Sequence, residues 1–136
     1  MKEKPYHYID EDIRYLVACM NAYEFRTYAS CQGHGYPVDS VMPYIAFRCR
    51  MKSVSLLSRY LCEDAESVEP ELNWGWEITG SFDSAHSLCF RLSPTKPHNN
   101  ISRWRRVTLR QDFLLIAGLV KRSADKVERI DKTCTP

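Results

Sequence analysis

Apolar positions recur at helical spacing in the first part of the chain, where Ile13, Leu16, Val17 and Met20 follow Asp10, Glu11 and Asp12. Asp10 is a fitting N-cap and the early acids suit the positive end of a helix, so the pattern predicts a first helix ending near Asn21. The period then changes to two. Phe25, Thr27, Ala29 and Cys31 alternate with Arg26, Tyr28 and Ser30, which predicts a strand with the first set on its core face. Gly33, Gly35, Pro37 and Pro43 make the stretch from Gln32 to Pro43 a loop, and Tyr44 to Cys49 reads as a second strand.

Ser53 is placed to cap a second helix carrying Val54, Leu56, Leu57, Tyr60 and Leu61. An acidic linker over about 63–73 follows, with Glu63, Asp64, Glu66, Glu69 and Glu71 expected in solvent. Trp74, Trp76 and Ile78 alternate as a third strand, Gly80 to Ser84 turns the chain, and Leu88, Phe90 and Leu92 form a fourth. Two tryptophans at period two belong in a core rather than on a ligand platform. A loop containing Pro94, Pro97, Asn99 and Asn100 leads to Arg103-Trp104-Arg105-Arg106. Thr108 and Gln111 match a capping box for a last helix striped with Leu109, Phe113, Ile116, Leu119 and Val120 and running towards Ile130. The order α-β-β-α-β-β-α predicts a single α+β domain over 1–136, with a mostly antiparallel four-stranded sheet and helices on one face.

Composition narrows the class. The chain of 136 residues is of one-domain size, its makeup is that of a soluble globular protein, and no apolar run approaches the ~18 residues that span a bilayer. Met1 to Pro5 lead into no apolar segment, so a cytoplasmic location is expected. The six cysteines include no CxxC pair and read as free thiols. The net charge of +2 conceals a split, since residues 1–83 carry a balance of −5 and residues 84–136 one of +7. A basic half of this kind can dock an anionic partner.

Three groups of residues carry candidate chemistry. Cys31 and His34 lie three apart on a glycine-flanked turn, and His86 and Cys89 repeat the separation, so two pairs could hold zinc, with His7 and His98 in reserve. The spacing sends His86 and Cys89 to opposite faces of a strand, which weighs against that set. Cys31 could instead be a nucleophile activated by His34, although no third group to orient the imidazole is evident. The plainer reading makes Cys31 the buried end of a strand and leaves His34, beside Gln32, presented on an exposed turn. The second group is Arg103, Trp104, Arg105 and Arg106, with Arg110 one turn further on. Cations with an aromatic at a helix start can take a phosphate, a nucleotide or a nucleic acid, unless Trp104 anchors the loop in the core. The third is Arg48 and Arg91, expected on one sheet face as a further anion contact.

The segments Thr27 to Gly35 and Pro43 to Phe47 resemble the S-C-x-G-H-G … P-Y-V/I-x-F pattern of small uncharacterised phage and prophage proteins, with W-x-I and F-R-L strands matched at Trp76 to Ile78 and Phe90 to Leu92. The resemblance carries no established activity. It implies a binding protein of phage or mobile-element type, an inhibitor of a host defence system such as CRISPR, which covers a functional surface of a host protein complex or captures a nucleic acid or nucleotide. A fainter similarity is to the wybutosine-synthesis tRNA methyltransferases, whose S-x-S-C-S-G-R motif is matched by Ser30, Cys31 and Gly33 but not by Gln32 and His34. That similarity would imply RNA methylation with S-adenosylmethionine, and no glycine-rich methyltransferase loop accompanies it.

Overall fold

Alternation along the strands divides the molecule into a core face and an open face of one sheet. The computed structural model describes residues 9–134, so His7 and the N-terminal stretch lie outside the described residues. Four antiparallel strands, β1 (Arg26–Cys31), β2 (Tyr44–Arg48), β3 (Trp74–Phe82) and β4 (Leu88–Pro97), assemble in the order β1-β2-β4-β3. Three helices accompany them, α1 (Arg14–Ala22), α2 (Met51–Glu66) and α3 (Arg106–Cys134), with 3-10 turns at Glu11–Ile13 and Asn100–Trp104. The order of helices and strands is the α-β-β-α-β-β-α that the sequence predicts.

Ile45, Phe47, Trp74, Trp76, Phe90 and Leu92 face the helices and close one core with Leu16, Met20, Leu57, Leu61, Phe113 and Ile116. The helix stripes and the strand alternation supply complementary apolar surfaces, and burying each large side chain contributes roughly 1.5–3 kcal/mol. The opposite face of the sheet carries Tyr28, Tyr44, Arg48, Glu77, Thr79 and Arg91. Arg48 and Arg91 do share it. Each guanidinium lies over a tyrosine ring, Arg48 over Tyr28 at 5.3 Å and Arg91 over Tyr44 at 4.1 Å.

Several boundaries differ from the expected ones, each for a local reason. A 3-10 turn opens the first helix, and the Asp10 carboxylate makes no cap bond there because it reaches across to the Gln32 N–H at 3.0 Å. The second helix starts at Met51 after Arg50, so Ser53 is already inside its first turn. It continues through Glu63, Asp64 and Glu66, where an acidic linker was expected. Asp64 accepts the backbone N–H groups of Glu71 and Leu72 and so ties down the chain that follows. Gly80 continues β3 instead of ending it, and the turn is made at Asp83, which accepts the N–H groups of Ala85 and Ser87. Pro94 and Pro97 lie within β4 because β2 pairs with it only over Phe90–Leu92, which leaves the rest of that edge without a ladder to lose.

The capping box does not form. Thr108 Oγ1 accepts the Trp74 indole N–H at 3.0 Å and donates to the carbonyl of Arg105, while Gln111 accepts from Asn73. Both side chains join α3 to the start of β3. Asp112 completes that junction, fully buried, and its carboxylate accepts the N–H groups of Asn73 and Trp74 and the indole N–H of Trp76.

Candidate functional site: the loop and the start of α3

One inserted residue decides the face on which Cys31 lies. Thr27 pairs with Phe47, but Ala29 pairs with Ala46, so Tyr28 is an extra residue that bulges out of β1. Beyond it the alternation is inverted. Cys31 pairs with Tyr44 on the open face, not on the core face that the unbroken alternation predicts. The thiol is half-buried at the point where the strand enters the loop.

Gly33 follows with φ +84°, a conformation that an L side chain adopts only with strain, and a Cβ there would lie 2.9 Å from the Val41 carbonyl oxygen. This turn brings the Gly33 N–H to 3.4 Å from Cys31 Sγ. His34 then pairs with Val41 as an isolated antiparallel bridge, each N–H donating to the other's carbonyl at 3.1 Å. The imidazole is thereby fixed at its base and exposed at its tip. Its Nε2 lies 3.6 Å from Asp10 Oδ2. Asp10, Cys31 and His34 each bring one ligand-type atom to within 4.8 Å of the others.

Gln32 acts as a clasp. Its backbone N–H donates to Asp10, and its side-chain carbonyl accepts the N–H of Asp12 at 2.8 Å. Gln32, one of the predicted binding residues, thus seats the loop on the N-terminal 3-10 turn.

The basic segment packs against the same loop. Arg106 donates to the carbonyls of Gly33 and Gly35 at 3.0 and 2.8 Å and lies over the Tyr36 ring at 5.5 Å. Arg103 pairs with Asp39, its carbonyl accepts the Val38 N–H, and Arg110 pairs with Asp12. Three of the four cations of this segment are thus engaged within the molecule. Arg105 and Trp104 point outward, and Trp104 is 61% exposed, so it does not anchor the loop in the core. Tyr36 in the loop and Ile101 in the same 3-10 turn as Trp104 are 63% and 62% exposed.

Comparison with protein-family models, with curated proteins and with solved structures finds no match.

The remaining predicted residues lie elsewhere. Arg48 is held by Asp83 on the open face near the far turn. The Asp83 carboxyl sits below the usual carboxylate range because the Ser87 and Ala85 N–H groups and Arg48 favour its charged form. His86 belongs to that turn with φ 62°, and the buried Cys89 contacts Ser81 and the Tyr28 hydroxyl. Tyr28 is pushed up to about 12 by burial and by its bond to Cys89. Cys31 lies opposite Tyr44 whereas Cys89 adjoins the Phe47–Phe90 pair, at the other end of β2, so the two Cys/His pairs do not meet.

The sequence reading missed Asp10 as the third member of the Cys31–His34 group. Its N-cap position drew attention to the wrong partner, and only the 22-residue contact to Gln32 reveals the role. Asp12 and Asp39 were likewise unrecognised as partners of Arg110 and Arg103.

Proposed function

We propose that this protein is a binding protein that docks onto a host protein complex through the surface built by the His34 loop and the start of α3, and that it acts by covering a functional surface of that complex. The observation that supports this reading is the exposure of Tyr36, Ile101 and Trp104 together with Arg105 on one frame. Arg106 and Arg103 hold that frame rigid through the Gly33, Gly35 and Asp39 contacts. Aromatic and arginine side chains on a preorganised surface are the composition of protein–protein hot spots. Phosphate binding is less favoured, because Arg103, Arg106 and Arg110 are already paired with carboxylates or carbonyls. The phage-protein resemblance supplies the setting, inhibition of a host defence system.

The test is affinity capture from nuclease-treated host lysate with wild type, Trp104→Ala, Tyr36→Ala and Arg91→Glu in parallel. Wild type and Arg91→Glu should retain the same partner, and Trp104→Ala should lose it with an unchanged melting temperature. A central tryptophan carries about 2 kcal/mol or more, roughly a 30-fold loss of affinity. Loss of the partner on nuclease treatment would point to nucleic acid instead. Binding that survives in Trp104→Ala and fails in Arg91→Glu would move the contact to the open sheet face and overturn the reading.

A further inference from the structure

We propose that Asp10, Cys31 and His34 form a binding site for a divalent transition metal, with zinc the best chemical fit. Carboxylate oxygen, thiolate sulfur and imidazole nitrogen are the three donor types that zinc accepts, and a site with three protein ligands leaves a fourth position for water or a partner's side chain. With metal–ligand bonds of ~2.0–2.3 Å in tetrahedral geometry, neighbouring donor atoms sit ~3.3–3.8 Å apart. The 3.6 Å between His34 Nε2 and Asp10 Oδ2 is already such an edge. The three donor atoms together span no more than 4.8 Å, so closure requires side-chain shifts of about an ångström.

The surroundings suit a metal better than an ordinary ion pair. The Gly33 N–H is directed at Cys31 Sγ at 3.4 Å and orients the sulfur, as outer contacts do for metal ligands. The Gln32 N–H on Asp10 orients the carboxylate, as outer contacts do for metal ligands generally. The backbone bridge between His34 and Val41 fixes the imidazole's point of attachment. None of the three side chains belongs to the apolar core. The exposed tip of His34 turns the remaining coordination position to solvent.

The site shares the His34 loop with the proposed docking surface but does not include Trp104, so Trp104→Ala should leave it intact. Cobalt(II) titrated into the metal-free full-length protein should give one equivalent of tightly bound ion with a near-ultraviolet thiolate-to-cobalt band. Zinc should displace the cobalt and raise the melting temperature. Cys31→Ser should abolish the band, and His34→Ala and Asp10→Asn should weaken zinc by more than the ~10- to 100-fold that loss of an outer contact costs. His34 is exposed, so its variant keeps the fold and the test remains decisive if Cys31→Ser proves unstable. Cys62→Ser, which changes the exposed thiol of α2, should bind as wild type does. Absence of the thiolate band, or stoichiometric binding that persists in both Cys31→Ser and His34→Ala, would overturn the proposal.

Discussion

The carboxylate of Asp112 accepts the indole N–H of Trp76 at 2.9 Å inside the core, and through it α3 holds the start of β3. Two backbone N–H groups, of Asn73 and Trp74, complete the coordination of this one side chain. Burial nevertheless dominates, and pushes Asp112 up to about 6.

Asp112→Ala leaves three donors without an acceptor, so it should destabilise the fold by about 3 kcal/mol or more, read as a drop in the urea midpoint. The pH dependence has a definite sign. Asp112 holds its proton more tightly folded than unfolded, so its contribution to stability is full below about pH 4 and declines as pH rises to about 6. Asp112→Asn removes that titration. Its own midpoint, lowered by the amide's mismatch with the Asn73 N–H, should vary less between pH 4 and 7 than that of wild type. The wild-type loss across that window is of order 3 kcal/mol from this group. Equal slopes for the two proteins would show that Asp112 keeps an ordinary carboxyl.

Arg106 fixes the loop from below by donating to the carbonyls of Gly33 and Gly35. Arg106→Ala should cost about 1 to 2 kcal/mol of stability. It should also speed hydrogen exchange at the His34 and Val41 amides, which pair across that loop. Arg106→Lys should recover only part of the protection, since a single ammonium lacks the planar fork that spans two carbonyls. If exchange at these two amides matches wild type in the alanine variant, the arginine is not what holds the loop.

The thiols should separate by reactivity. Burial pushes Cys49 up to about 12, whereas Cys62 is exposed on α2. With a chromogenic disulfide reagent at mildly alkaline pH, Cys62 should react in the first phase and Cys49 only on unfolding. Cys62→Ser should remove amplitude from the fast phase, and Cys49→Ser should leave that phase untouched.

The fold was legible because its signals are local. The stripe Leu109, Phe113, Ile116 and Val120 and the alternation at Phe90 and Leu92 each specify an element and its buried side within a few residues. Junctions between elements were not legible. Thr108 and Gln111 carry the letters of a cap but bond Trp74 and Asn73, more than thirty residues away. Asp64 looks like surface charge and secures the backbone after α2. At the candidate site the glycines announced the turn at Gly33 and Gly35, and the sequence drew notice to both halves, the His34 loop and the arginine segment. Their union through Arg106 depends on backbone carbonyls, which have no letter of their own.

The bulge at Tyr28 matters to this site as much as the S-C-x-G-H-G letters themselves. A strand of the same length paired without the bulge would keep every letter of the motif, yet its pleat would swing the sulfur to the core face shared by Phe25 and Thr27, away from the open face on which Cys31 lies. Such a chain would share the signature and lack the triad. The bulge therefore distinguishes chains that can assemble Asp10, Cys31 and His34 from chains that merely spell them.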